Sequence, residues 1–372
     1  MKSSINILFW VPYPHNTAPG QRFRHEQYLG YFAKNNITYT LSPFWDIKTN
    51  AILYQHGKHI QKIAGLVNGY FRRLKDILHI SRFDLVFIYR EAAPIGPPVI
   101  EWLITKVLHK KILFDFDDSI WLKDVSEAHK LWGWLKNPSK TRNIIKLSSG
   151  IIVGNKYLAE YASKFNSAIT IIPTTIDTDY HFSSNKIIPS NKITIGWTGS
   201  TTTIKHFETA LPFLKRLKLK YKDRINFVLI SDKNITHSPL EIDFIPWTKE
   251  TEISDLSRID IGIMPLPDDQ WSKGKCGFKG LQYMAMGIAT VMSPVGVNMD
   301  IISDGTNGFL AKTEDEWVEK LSLLIESSEL RANFGLAGRL TIRKRYSVKS
   351  QKDSFLEIFT SLTRSEKQAK TD

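Results

Sequence analysis

Residues 193–207, Ile-Thr-Ile-Gly-Trp-Thr-Gly-Ser-Thr-Thr-Thr-Ile-Lys-His-Phe, decide the fold. A short apolar run is broken by Gly199, and hydroxyl residues then open a helix, so the stretch reads as strand, glycine turn, helix. Working outward, the same unit repeats. Apolar runs at 226–230, 242–245, 259–264 and 289–292 read as strands, and amphipathic stretches at 206–219, 252–257, 280–285, 314–325 and 329–344 as helices. Toward the N-terminus, runs at 5–11, 85–89, 111–116, 150–153 and 169–172 alternate with helical patterns at 22–34, 57–80, 98–108 and 140–147. Strand, helix, strand at this spacing means parallel βαβ units. The stretch 174–191, rich in Thr, Ser, Asn and Asp, interrupts the alternation and reads as a linker. The expected architecture is α/β: two doubly wound parallel-sheet domains, 1–173 and 192–345, facing across a cleft. A helix at 346–372 is expected to pack back on the first domain, with residues 364–372 frayed.

Composition narrows the class. The chain has 372 residues, 42% hydrophobic and 23% charged, which excludes a disordered or disulfide-stapled chain. A single cysteine, Cys276, excludes an internal disulfide and a Cys-based zinc site, and suggests a reducing, cytoplasmic setting. The first apolar run, 5–11, is too short to span a bilayer, is broken by Pro12 and Pro14, and lacks the flanks of a signal peptide. The net charge of +13 is uneven: residues 1–173 hold 23 Lys/Arg against 12 Asp/Glu, and residues 192–345 hold 21 against 19. A basic first half suits an anionic lipid surface or a phosphorylated substrate. Nucleic acid would use the same charge, but no motif accompanies it, and none is expected as a partner. Stretches 70–83 and 129–146, the latter with Trp132 and Trp134, mix cations with large apolar residues. They read either as helices packed on the sheet or as surfaces resting on the inner face of the cytoplasmic membrane.

Two stretches of the second half suit a phosphorylated ligand. Gly199, with Ser200 and Thr201 opening a helix and Lys205 one turn in, would offer amides, hydroxyls and a charge. The second stretch is 260–310, in which Lys275, Lys279 and Gln282 follow one strand and Val295-Gly296-Val297-Asn298 follows the next. Lysines, glycines and small polar groups at neighbouring strand ends suit a diphosphate joined to a sugar.

Here the residues meet a family. The run Lys275-Cys-x-x-Lys279-Gly-Leu-Gln282-Tyr-Met-Ala-x-Gly287, then Ser293-Pro-Val-Gly-x-Asn298, then Asp304-Gly-x-Asn-Gly-Phe-Leu-Ala311 resembles the donor site of the group-1, family-4 glycosyltransferases. Ile172-Pro-Thr-Thr-Ile-Asp177, Phe114-Asp-Phe-Asp-Asp-Ser-Ile120 and Tyr89-Arg-Glu91 resemble further elements of one branch. The resemblance implies two Rossmann-like domains in the GT-B arrangement and a nucleotide-diphosphate-sugar donor. It also implies transfer to a hydroxyl acceptor with retention, and no metal or other cofactor. By position, Gly199, Ser200, Thr201 and Lys205 would face the diphosphate, Lys275 and Lys279 would lie beside it, and Val295, Gly296, Val297 and Asn298 would present amides. The chain departs from the family at its two glutamates, where Gly274 and Gln282 stand; Gln282 would still reach a ribose hydroxyl. The acceptor would be a glycan or a lipid-linked sugar in cell-surface polysaccharide synthesis.

The first half supplies candidates for the acceptor side. Gly20, Arg22, Arg24 and His25 follow the first strand, where the cations would meet an oxyanion. Arg90 and Glu91 follow the strand 85–89, and Asp115, Asp117 and Asp118 close the strand 111–116. Alternation would bury Phe114 and Phe116 together and turn Asp115 and Asp117 the other way. Asp117 or Asp118 could accept the acceptor hydroxyl's proton, or these carboxylates could cap a turn or pair with Arg90. Asp-x-Asp at a strand end is also the metal site of GT-A enzymes, and His15, His25 and His129 are alternative bases. Two further readings stay open: a nucleotide-sugar epimerase on the same fold, and a non-catalytic nucleotide-sugar-binding protein.

Overall fold

The computed structural model describes residues 4–53, 55, 57–122, 139–182, 192–235 and 240–368. Expectations for His129, Trp132, Trp134, residues 183–191 of the linker and residues 369–372 fall outside them. The chain forms two compact units, Met1–Thr174 with Gln351–Asp372, and Thr175–Ser350.

The first unit is built on six parallel strands: β1 Ile5–Val11, β2 Ile37–Pro43, β3 Leu85–Tyr89, β4 Ile112–Phe116, β5 Gly150–Val153 and β6 Ile169–Ile171. Their order across the sheet is β2-β1-β3-β4-β5-β6. β3, β4 and β5 are buried along their whole length. This is why β3 and β5 read as continuous apolar runs, and β4 as one broken only by Asp115. β2 was not expected. It is an edge strand of sequence ITYTLSP whose outer residues are exposed, so its apolar signal is weak. The single helix expected at 22–34 is instead Pro19–Arg24, a 3-10 turn Glu26–Tyr28 and a helix Leu29–Lys34. The C-terminal helix Val348–Gln368 places Phe355 and Phe359 within the first unit, fully buried against Tyr28, Phe32 and Phe9.

The second unit is a sheet of β7 Ile193–Thr198, β8 Ile225–Ser231, β9 Asp243–Pro246, β10 Ile261–Met264, β11 Ala289–Met292 and β12 Phe309–Leu310. The order is β12-β11-β10-β7-β8-β9, again parallel throughout. Trp197, Phe207, Phe213, Leu214 and Trp317 lie in its main core. The helix expected at 206–219 is two, Ile204–Glu208 and Leu211–Tyr221, the second beginning with Pro212 in its first turn.

Strand order fixes where each unit opens. In a doubly wound sheet the crevice lies at the carboxyl ends of the two strands from which the chain departs in opposite directions. That point is between β1 and β3 in the first unit and between β7 and β10 in the second. Among the described residues no helix is long and apolar enough to cross a membrane.

Candidate functional site

The switch point of the second unit gathers cations. β7 ends at Thr198, whose amide donates to the buried Tyr283 hydroxyl at 2.8 Å, so the helix after β10 pins this strand tip. Gly199 is needed because a side chain there would collide with the Trp197 ring. Lys279 Nζ lies 5.2 Å from the Trp197 ring centre and Lys275 Nζ 5.7 Å from that of Trp271. His206 is buried beside them. Burial, then the charges of Lys275, Lys279 and Lys205, push its pKa down to about 4. Lys205 follows β7, and Lys275 and Lys279 follow β10, the two strands that meet at this switch point.

The glycine turn itself differs from expectation. The Gly199 amide donates to Ile230 O at 3.0 Å, that of Ser200 to Thr203 Oγ1 at 3.1 Å, and that of Thr201 to Asp232 Oδ1 at 2.6 Å. Gly199, Ser200 and Thr201 therefore spend their amides within the protein rather than leaving them open for a phosphate. The helix that follows has only five residues. The positive side chains, not the turn, make this place attractive to an anion.

The turn after β11 fits better. Gly296 has φ +55°, and a Cβ there would stand 2.7 Å from Lys273 O, so only glycine lets the two loops touch. Val295 donates to Ser293 O and Asn298 to Val295 O. Of the four expected amides, those of Gly296 and Val297 have no acceptor among the described residues. Asn298 fastens the loop by donating to Ser293 O at 2.9 Å, and its buried Oδ1 has no donor among the described residues.

Gln282 is a correction. It is buried, and its Nε2 donates to Glu252 Oε1 at 3.3 Å and lies 3.3 Å from His181 Nε2. Glu252 also accepts from Trp247 Nε1 at 3.3 Å. The side chain expected to meet a ribose is tied into a buried polar cluster. Nothing in the local sequence announces His181 or Glu252, which come from a distant loop and a different helix.

In the first unit β1, β3 and β4 are neighbours, so their carboxyl ends stand side by side. Asp117 Oδ1 accepts from Tyr89 Oη at 2.8 Å and from Arg90 Nε and Nη2 at 3.0 and 2.8 Å. Arg90 Nη2 also reaches Asp118 Oδ2 at 3.4 Å. Against the cost of burial, the charges of Arg90 and Arg24 hold the Asp117 carboxyl below its ordinary range. Such a carboxylate is a weak proton acceptor; the pairing with Arg90 is its observed role. Gly20 closes the group, since a Cβ there would stand 2.7 Å from Tyr89 Oη.

Arg24 and His25 are also corrections. Arg24 is fully buried, with Nη2 2.5 Å from Asp115 Oδ1 and Nη1 2.5 Å from Ile172 O. It secures β4 from within and offers no charge to a ligand. The His25 ring is buried among Phe9, Phe87 and Tyr89, and burial with the charge of Arg24 pushes it down to about 3. It is neutral, not a cation. Arg22 is nearly buried, its guanidinium 5.0 Å from the Phe23 ring centre. Glu91 pairs with Lys140 at 3.2 Å. Phe114 and Phe116 pack together at 5.3 Å between centres, and Asp115 meets Arg24. Among the described residues no cluster of three or more His, Cys, Asp or Glu could hold a metal ion.

Residues 192–327 match the family described as glycosyl transferases group 1. No curated protein matches the chain. Sucrose-phosphate synthase from Thermosynechococcus elongatus superposes with TM-score 0.71 at 11% identity, covering 97% of this chain and 100% of that one. Anabaena HepE in complex with UDP-glucose gives TM-score 0.69 at 14% identity, covering 96% and 100%. A glycosyltransferase from Rickettsia africae gives 0.68 at 16%, covering 96% and 98%. The fold is that of the GT-B glycosyltransferases.

Proposed function

We propose that this protein is a glycosyltransferase that moves a sugar from a nucleotide diphosphate to a hydroxyl acceptor. The observation that carries the reading is that Lys205 follows β7 and that Lys275 and Lys279 follow β10, the two strands of the switch point, in the unit that matches group-1 glycosyl transferases. The second unit holds the donor. Its lysines, with the Gly296 and Val297 amides, neutralise the charge that grows on the diphosphate as the sugar leaves, the part a divalent ion plays elsewhere. The first unit receives the acceptor, a glycan or a lipid-linked sugar, at the Gly20, Tyr89, Arg90 and Asp117 group. Retention follows if the acceptor oxygen attacks the face from which the diphosphate departs. The bond from the anomeric carbon to phosphate oxygen then breaks, the bond to the acceptor oxygen forms, and a phosphate oxygen takes the acceptor's proton. The reading includes cell-surface polysaccharide synthesis and a cytoplasmic protein peripheral to the membrane.

The complex of HepE with UDP-glucose makes that sugar nucleotide the first to try. The test is a panel of UDP-, ADP-, GDP-, dTDP- and CMP-sugars, followed by release of nucleotide and by analysis of the sugar. Release of the free nucleotide with transfer or hydrolysis supports the reading. Conversion to a different sugar nucleotide would make the protein an epimerase, and binding without turnover a carrier.

A further inference from the structure

The helix His59–Leu78 carries an outer face that no described residue covers. Ile60, Ile63, Val67, Phe71, Leu74 and Leu78 are between 45% and 84% exposed. At 100° per residue these six fall within about 80° of the helix circumference, a stripe about 27 Å long. The opposite face is already committed. Gly65 and Gly69 let Thr49 and Phe44 approach, and Arg73 is buried with donors on Ala92 O and Ser42 O at 2.7 and 3.0 Å. The stripe is therefore surplus to the core, and a contiguous apolar surface of this extent marks a contact. The helix Val99–Trp102 extends the apolar surface of this unit. Its Ile100 shares the Phe44, Trp45 and Ala93 cluster with Tyr70, and its Val99 and Trp102 are 58% and 51% exposed.

The charge around the stripe selects the partner. Lys58, Lys75 and Arg82 are exposed on the helix and its flanks. The helix's single carboxylate, Asp76, turns inward and accepts from Trp10 Nε1 at 2.8 Å and Ser42 Oγ at 2.6 Å. The three- and four-residue spacing would also suit pairing with the same helix of a second copy. A second copy, however, would bring the same cations and no outward carboxylate along this helix to meet them. A bilayer with anionic headgroups offers apolar depth to the stripe and negative charge to its rim.

We propose that the outer face of helix His59–Leu78 docks the first unit on an anionic lipid bilayer. The proposal deepens the functional reading by naming the surface behind its membrane location, and it rests on that reading only for the acceptor that the membrane would carry.

The test is flotation of the full chain with phosphatidylcholine vesicles, with and without about a third phosphatidylglycerol. The protein should float with the anionic vesicles and be largely released at about 0.5 M salt, where screening shortens the reach of the charges. Phe71→Ser with Leu74→Ser, and separately Lys75→Glu with Arg82→Glu, should each lower binding roughly tenfold or more. Their melting temperatures and nucleotide-sugar binding should stay unchanged. Failure of the native chain to float, or equal flotation of both variants, would overturn the proposal. So would a stable dimer that the Phe71→Ser, Leu74→Ser variant dissociates, because a second copy would then cover the face. Donor binding is titrated separately: its absence with flotation intact would defeat the transferase reading and leave the docking face standing.

Discussion

Substituting Gly20 by alanine tests the group at the head of the first sheet. The new Cβ would stand 2.7 Å from Tyr89 Oη, where 3.4 Å is ordinary contact, so about 0.7 Å must be found. Tyr89 is buried and donates to Asp117 at 2.8 Å, so the oxygen has little freedom to retreat. Overpacking of this kind costs about 1–3 kcal/mol. Replacing glycine in a helix returns about 1 kcal/mol, which leaves a net loss of up to about 2 kcal/mol. Tyr89→Phe alone removes a hydrogen bond to a charged group, at about 1.5–3 kcal/mol. In the Tyr89→Phe background the obstructing oxygen is gone. Gly20→Ala should then be neutral or stabilising, and the two changes should couple by about 2 kcal/mol in a double-mutant cycle. Urea unfolding measures the cycle, and turnover on the same variants should fall wherever the Asp117 contact is broken. Additivity within about 0.5 kcal/mol would refute the reasoning.

Three other outcomes are expected. Lys275→Ala and Lys279→Ala should each weaken nucleotide-diphosphate binding about tenfold, or about 1.4 kcal/mol, by calorimetry. Arg24→Met should cost about 3–5 kcal/mol by deserting the buried Asp115, and Asp115→Leu added to it should restore much of that. His206, held at about 4 against a usual 6.5, should remain neutral at mildly acid pH by NMR and move upward when a diphosphate offsets the lysines. Because the unfolded chain takes up that proton first, stability should rise with pH between about 4 and 6.5, and His25 should extend the window down to about 3.

The sequence was most legible where strands are buried on both faces. The strands 5–11, 85–89, 150–153 and 289–292 have the expected bounds, because a continuous apolar run leaves no other reading. β2 escaped notice because half of it faces solvent, and β12 because two residues carry no period. Position after a strand end places Lys275, Lys279, Gly296, Arg90 and Asp117 at the carboxyl ends of the sheets. It did not tell which charges are already answered inside the protein. By position Arg24 reads as an available cation, whereas Asp115, 91 residues away, holds it. Gln282 reads as available from its position, whereas Glu252 and His181 lie against its amide. Neighbours so distant along the chain leave no local pattern to read.

The division of the first unit between Met1–Thr174 and Gln351–Asp372 bears on how the protein is made. A ribosome delivers every residue of the later-encoded lobe before it delivers Phe355 and Phe359, which seal the earlier one. The nascent chain can thus finish its second lobe while the first still shows bare aromatic surface around Phe9 and Phe32. A stop codon placed just before Phe355 should yield an aggregating product, because the first unit then lacks the aromatic side chains that close it.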